Sequence, residues 1–222
     1  MKATNPILLV LDLDGTIVPQ NAVRHLNDIT NTAEKNNKTF EKFMKGEITK
    51  EEYINHLKIY YKNSPNPLTK KDVEKIMKKF SVYEGFSKFI QKMKSLYGNN
   101  IIFAIVSSSV KERVEAVAKT YDIKEFYYST LSYDSSNKLI GFEKFLFPED
   151  KEKYLLELIK KYSPSLIIVI GDSEWDKPMM KHAHITISID NHDLEAHHTI
   201  YHYDELTNIL IKEIEKRIKI HK

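Results

Sequence analysis

The chain has 222 residues, no cysteine, and 34 basic against 31 acidic residues, which gives a formal net charge of +3 at pH 7. This length predicts one or two domains, and the absence of thiols excludes disulfides, zinc-thiolate sites and a cysteine nucleophile. The even charge balance and the short apolar runs predict a cytoplasmic protein whose partner is neither nucleic acid nor a membrane.

The first predicted element is a buried strand over Ile7–Leu11, where five apolar residues follow one another. Residues 19–83 then lack strand-like runs and show helical periodicity, which predicts an inserted helical domain. Its helices are expected at Ala22–Glu34, Thr39–Lys45, Thr49–Lys62 and Thr69–Phe80. Counting charges over 19–83 gives 13 basic and 8 acidic residues, a net charge of +5. These lysines either lie on solvated helix faces or help to attract an anionic substrate.

The rest of the chain alternates between strand-like and helical stretches, which is typical of βαβ units. Strands are predicted at Ile101–Val106, Leu166–Ile170 and Ile185–Ile189, and helices at Phe86–Leu96, Val110–Tyr121, Lys151–Tyr162 and Asp204–Ile218. A hairpin is predicted within Tyr127–Phe147. We therefore predict an α/β fold, with a doubly wound, Rossmann-like parallel sheet formed by residues 1–18 and 84–222.

Polar residues stand where each predicted strand ends. These residues are Asp12, Ser107, Gly171-Asp172 and Asp190. Because the carboxyl ends of parallel strands lie along one edge of a sheet, where open α/β folds place their sites, we expect these groups to face one crevice.

The string Asp12-Leu13-Asp14-Gly15-Thr16 places two carboxylates directly after the first strand. Gly15 allows a turn that brings both carboxylates to the crevice. Paired carboxylates suit Mg²⁺, which binds one or two of them and keeps several waters. The string 171–176, GDSEWD, adds Asp172 and Asp176, whose charges would repel the first pair without a cation. Alternatively, one of these two caps the following helix.

Together these motifs resemble those of the haloacid dehalogenase-like hydrolase superfamily, in its phosphatase branch. The string at 12–16 matches the first motif of that family, Ser107 the second, and the string at 171–176 the last. Lys151 matches the lysine of the third motif, with Leu155 and Leu158 on the same helical face. Lys153 is the competing choice, but a glutamate four residues later gives it the wrong phase for a buried face.

The resemblance implies a mechanism through an aspartyl-phosphate. Asp12 would be the nucleophile, and Asp14 would be the general acid and then the base. Mg²⁺ would be held by the carboxylates of Asp12 and Asp172 and by the backbone carbonyl of Asp14. Substrate phosphate would be bound by Ser107, Ser108 and Lys151, and the supporting residues would be Gly15, Thr16, Ser173 and Asp176. The second aspartate of the first motif is absent from the dehalogenases of the superfamily, so carbon–halogen cleavage is not expected.

The helical insertion at 19–83 resembles the type C1 caps of this superfamily and is similar to those of the phosphoserine phosphatase-like subgroup. Three substrate contacts of that subgroup differ here, because the chain has Gln20-Asn21, Leu57 and Ser108-Ser109 at the corresponding positions. We therefore expect the substrate to be another small phosphomonoester. We expect the protein to be a monomer or a homodimer. The alternatives are a phosphotransferase or phosphomutase, a phosphoserine phosphatase with an atypical cap site, and a catalytically idle phospho-ligand-binding protein.

Two further features have an ordinary structural interpretation. Six histidines lie between 182 and 202, where their spacing predicts surface positions better than a metal site. Trp175 is expected either to line the phosphate pocket or to pack beneath it. Gln20, Asn21 and Lys177 are further candidates for the pocket.

Overall fold

The computed structural model describes residues 5–220 and contains seven strands and nine α-helices in that range. The strands are β1 (Ile7–Leu11), β2 (Ile101–Val110), β3 (Glu125–Tyr133), β4 (Leu139–Lys144), β5 (Leu166–Gly171), β6 (Ile185–Ile189) and β7 (His198–Ile200). The helices are α1 (Ala22–Ile29), α2 (Ala33–Met44), α3 (Lys50–Lys62), α4 (Lys70–Met77), α5 (Phe86–Tyr97), α6 (Lys111–Thr120), α7 (Pro148–Tyr162), α8 (Lys177–Met180) and α9 (Tyr203–Ile220). No helix in this range has both the length and the apolar composition needed to cross a bilayer.

The strands form one sheet in the order β4-β3-β2-β1-β5-β6-β7. All pairs are parallel except β3 with β4, which form the predicted hairpin. Every residue of β1 is buried, because helices cover both faces of a parallel sheet and leave no solvated side. The predicted α/β class with a doubly wound, Rossmann-like sheet is confirmed.

Successive residues of β1 point to opposite faces of the sheet and so belong to two separate apolar clusters. Leu9 and Leu11 pack with side chains from α5, α6 and α9. Leu8 and Val10 pack with side chains from α7 and α8 on the other face. The two clusters hold β1 at the centre of the molecule and therefore fix the position of the loop that follows it.

A third apolar cluster joins the helices α1, α3 and α4 to the β3–β4 hairpin. It includes Leu26, Tyr53, Leu57, Tyr61, Val73, Met77, Leu131, Leu139 and Phe142. Backbone hydrogen bonds reinforce the contact, because the N–H of Lys70 donates to the carbonyl of Asn137 at 2.8 Å and the N–H of Leu139 donates to that of Leu68 at 2.8 Å. The hairpin therefore packs against the inserted helices in addition to extending the sheet.

The structure corrects the predicted boundaries of three inserted helices. The first, predicted to reach Glu34, ends at Ile29, and the second, predicted to begin at Thr39, begins at Ala33. The fourth, predicted to reach Phe80, ends at Met77. Asn31 between α1 and α2 has φ +55°, and the hydroxyl of Thr30 donates to the carbonyl of Leu26 at 2.7 Å. A residue in the left-handed region cannot continue an α-helix, so the chain turns here.

Three further elements differ from their prediction. The strand β2 continues past Val106 to Val110 with an irregular register, where the hydroxyl of Ser129 in β3 donates to the Ser108 carbonyl at 2.8 Å. The strand β7 and the helix α8 were not predicted. With three and four residues respectively, they are too short to show a periodic pattern.

Candidate active site

The loop after β1 turns sharply and brings both of its aspartates to the carboxyl edge of the sheet. The carbonyl of Leu13 accepts the N–H groups of Ile17 at 2.8 Å and Val18 at 2.9 Å. Gly15 has φ +84°, and a Cβ at this position would lie 2.2 Å from Oδ2 of Asp172. Only glycine therefore permits both the turn and the close approach of the carboxylate on the neighbouring loop.

Lys151 lies buried between two carboxylates, Asp12 and Asp176. Its Nζ donates to Oδ1 of Asp12 at 2.7 Å and to Oδ1 of Asp176 at 2.5 Å. Burial alone would lower the pKa of Lys151, but the two negative charges outweigh it and raise that pKa above its usual value. Lys151 shares the buried face of α7 with Leu155, while Lys153 is exposed, as the helical phase predicts.

Asp176 is held in place by the start of the loop after β5. A Cβ on Gly171 would lie 2.4 Å from Cγ of Asp176, so the glycine leaves room for this side chain. Oδ2 of Asp176 accepts the N–H groups of Asp172 at 3.1 Å and Ser173 at 3.2 Å. Both carboxylate oxygens of Asp176 thus already have donors, which makes it a residue that orients Lys151 and the loop.

Three carboxylates converge at this edge of the sheet. Asp12, Asp172 and Asp176 each offer an oxygen, and these oxygens lie within 4.8 Å of one another. Thr16 donates to Oδ1 of Asp172 at 3.2 Å, which orients that side chain. Burial raises the pKa of Asp12 to about 6 and that of Asp172 to about 8. Such a set of hard oxygen donors fits Mg²⁺, with Asp12 and Asp172 as the carboxylates that remain able to bind it.

Asp14 is held by hydrogen bonds from two different elements. The N–H of Ala22, the first residue of α1, donates to its Oδ2 at 2.8 Å, and the hydroxyl of Ser109 in β2 donates to its Oδ1 at 3.0 Å. Burial raises the pKa of Asp14 to about 7, although the bond from Ala22 and the charge of Arg113 partly oppose the shift. Asp14 can therefore hold a proton near neutral pH.

Arg113 is a functional candidate that the sequence analysis missed. Its side chain in α6 is fully buried, and its Nη1 donates to the carbonyl of Gln20 at 2.8 Å. Arg113 thereby fixes the loop that presents the N–H of Ala22 to Asp14. The only signal in the sequence was an arginine in the apolar stripe with Val114 and Val117.

The serines of the second motif have different environments. Ser107 is 1% exposed, and its Oγ accepts the N–H of Ser109 at 3.1 Å. Ser108 also borders the crevice, but its hydroxyl donates to the carbonyl of Leu146 at 2.7 Å. Asp190, expected at the same edge, is exposed and does not line the cavity between this edge and the inserted helices. The crevice thus receives groups from three of the four predicted strand ends.

A cavity of about 550 Å³ lies between this edge and the helical segment. The motif residues form its floor, and residues of α1, α2 and α3 form its opposite wall. Trp175 lines the cavity and also packs against two phenylalanine rings. Its ring centroid lies 6.0 Å from that of Phe40 and 6.2 Å from that of Phe145. Of the other pocket candidates, Asn21 lines the cavity, whereas Gln20 and Lys177 do not.

The late histidines are engaged separately. His182 contacts Glu152 at 2.7 Å, His184 accepts the N–H of Ile167 at 2.9 Å, and His197 bonds to Thr186 at 2.7 Å. Within residues 5–220, Asp12, Asp172 and Asp176 form the one group of three or more His, Asp or Glu side chains that lie close enough together to hold a metal ion.

Comparison with known proteins yields one family. A family model described as haloacid dehalogenase-like hydrolase matches residues 9–181. Among curated proteins, none matches the sequence.

Solved structures share the fold at low identity. A substrate-bound phosphoserine phosphatase complex is 21% identical with a TM-score of 0.76, and the match covers 96% of this chain and 99% of that one. A HAD family hydrolase from Salmonella enterica serovar Typhi is 16% identical with a TM-score of 0.75, covering 91% of this chain and 70% of that one. Phosphoserine phosphatase from T. onnurineus is 18% identical with a TM-score of 0.70, covering 94% and 96%.

Proposed function

The chain belongs to the haloacid dehalogenase-like hydrolase family, and we propose that it is a Mg²⁺-dependent phosphatase that hydrolyses a small phosphomonoester. The observation that carries the proposal is the placement of Asp12 and Asp14 at one sheet edge, beside the buried Lys151 and the carboxylate of Asp172. In this proposal, residues 1–18 and 84–222 form the catalytic core, and residues 19–83 form a cap over the cavity.

The reaction would proceed in two displacements. A carboxylate oxygen of Asp12 attacks phosphorus, the bond from phosphorus to the leaving alcohol breaks, and Asp14 donates its proton to that alcohol. Water then attacks phosphorus of the aspartyl-phosphate, Asp14 accepts the proton, and phosphate leaves with Asp12 restored. The raised pKa of Asp14, about 7, supports this acid and base role near neutrality.

Charge neutralisation is the second requirement, because a phosphate dianion approaches a site that contains several carboxylates. The Lys151 ammonium supplies one positive charge, which Asp176 holds in place. Mg²⁺, held by the carboxylates of Asp12 and Asp172 and the carbonyl of Asp14, would stabilise the charge on the phosphoryl oxygens. Ser107 and Ser108 border the same space and would contact these oxygens.

Phosphate release from a panel of phosphomonoesters, with Mg²⁺ and with excess EDTA, tests the proposal. The panel should contain p-nitrophenyl phosphate, glycerol phosphate, sugar phosphates, nucleotides and phosphoserine. We expect release that requires Mg²⁺ and returns when the ion is restored. Phosphate found on an added alcohol instead of in solution would identify a phosphotransferase. No release and no transfer by folded protein with Mg²⁺ would contradict the proposed enzyme.

Arg113 provides a test of the acid role of Asp14. Arg113→Met should slow hydrolysis of an alkyl phosphate roughly 10- to 100-fold, because loss of the contact to Gln20 lets the loop holding Asp14 move. The kcat/KM for p-nitrophenyl phosphate should change little, since this quantity reports the first displacement and the leaving group needs no proton. The ratio of the two kcat/KM values in one preparation is independent of the folded fraction.

Arg217→Met, on α9 away from the cavity, is the matched control and should leave the ratio unchanged. An equal decrease of both kcat/KM values in Arg113→Met would show that Arg113 supports only the fold.

A further inference from the structure

Asn27 in α1 borders the cavity, although it is only 6% exposed. Its Oδ1 accepts two short hydrogen bonds, from the hydroxyl of Tyr61 in α3 at 2.6 Å and from Nδ2 of Asn36 in α2 at 2.6 Å. Two neighbouring helices thus hold one end of this amide. Its other end, Nδ2, has no hydrogen-bond partner among residues 5–220 and is not enclosed by protein.

The Asn27 amide belongs to a hydrogen-bonded network of side chains between α1 and α2. Nδ2 of Asn36 also donates to Oγ1 of Thr32 at 3.0 Å, which in turn lies 3.0 Å from Oγ1 of Thr30. In this arrangement Oδ1 of Asn27 faces Tyr61 and Asn36, and Nδ2 faces away from both. Nδ2 is therefore the free donor of this amide at the cavity, and a ligand with an acceptor oxygen can take the place of water on it.

The wall around Asn27 is formed by aromatic and asparagine side chains, and its charged side chains are exposed. Tyr53 and Trp175 line the cavity and are buried or half-buried. The charged side chains of the helical wall, Arg24 and Glu41, are exposed at the rim. Lys151 is already paired with two carboxylates. A charged group on the leaving alcohol would therefore lose water without gaining a buried partner of opposite charge.

We propose that Asn27 is a specificity residue that selects phosphomonoesters whose leaving alcohol carries a second, uncharged oxygen. The hydroxyl of a polyol or sugar would accept the hydrogen bond from Nδ2 of Asn27, while its carbon skeleton packs against Tyr53 and Trp175. The substrate class is thus a polyol or sugar phosphate. This inference rests on the proposed phosphatase function.

The test compares n-propyl phosphate with glycerol 3-phosphate, two substrates that differ only in hydroxyl groups. A hexose 6-phosphate serves as a second hydroxylated substrate. For the wild type, we expect kcat/KM for the better hydroxylated substrate to exceed that for n-propyl phosphate by about 10-fold or more. Asn27→Asp keeps the acceptor that Tyr61 and Asn36 need and removes the donor. The variant should lose this preference, bringing the ratio close to one.

Asn37→Asp is the matched control, because Asn37 lines the same cavity but is exposed. It introduces the same negative charge and should leave the ratio of the two kcat/KM values unchanged. A wild-type ratio near one, a preference that persists in Asn27→Asp, or a preference for phosphoserine over all three substrates would overturn the inference.

The two proposals fail in different ways. Hydrolysis of p-nitrophenyl phosphate without any preference for hydroxylated substrates would overturn the role of Asn27 and leave the phosphatase intact. If Mg²⁺ supported hydrolysis of none of the substrates, both the phosphatase function and the role of Asn27 would be overturned.

Discussion

Replacing Asp12 with asparagine is expected to abolish phosphate release, lowering kcat by roughly 10⁴-fold or more. An amide oxygen cannot serve as the nucleophile, while the similar shape of asparagine preserves an acceptor for Lys151, which lies 2.7 Å from Oδ1. Because Asp176 still pairs with Lys151, the variant should remain folded. Phosphate release with the best substrate of the panel, together with thermal unfolding, measures both effects.

Asp190→Asn is the control for this substitution. Asp190 also follows a strand of the sheet, but it is exposed and does not line the cavity. Its variant should keep the activity of the wild type. Substantial turnover by Asp12→Asn, or protein-bound phosphate that hydroxylamine does not release from the wild-type protein during turnover, would contradict the assignment of Asp12 as nucleophile.

Replacing Lys151 with methionine should have the second largest effect, on both catalysis and stability. Methionine fills similar space but leaves the buried carboxylates of Asp12 and Asp176 without their shared cation. Breaking a buried ion pair in this way costs about 3–5 kcal/mol. We expect that loss in the free energy of unfolding measured with urea, together with a decrease in kcat of roughly 10³-fold, because one positive charge at the phosphoryl group is gone.

Lys153→Met makes the same change two residues away on the exposed face of α7. Its free energy of unfolding should stay within about 0.5 kcal/mol of the wild type, as for most surface substitutions. If Lys151→Met were as stable and as active as this control, Lys151 would be neither the structural nor the catalytic cation of the site.

Features that are local in the sequence were predicted well. The strand β1 was predicted with its observed bounds, because a buried parallel strand is a continuous apolar run. The motif after it was recognised because Asp12, Asp14 and Gly15 act through a turn of a few residues. Lys151 could be chosen over Lys153 because helical phase alone decides which side chain faces the sheet.

Features that depend on contacts between distant segments could not be predicted. Arg113 lies 93 residues from Gln20 in sequence, so their hydrogen bond follows from the packing of α6 and not from a local pattern. The hydrogen bond of Asn27 could not be predicted for the same reason, because its partner Tyr61 lies on another helix, 34 residues away. The break between α1 and α2 was missed because Asn31 gives only a weak turn signal.

The third apolar cluster makes the inserted helices and the β3–β4 hairpin depend on each other for the burial of their apolar side chains. Residues of the inserted helices, such as Leu57 and Met77, share their burial with Leu131 and Phe142 of the β3–β4 hairpin. Excising residues 19–83 would expose the apolar side of that hairpin to water. A chimera that takes these helices from a relative would therefore need the matching hairpin as well, since the two segments, far apart in sequence, form one exchangeable unit.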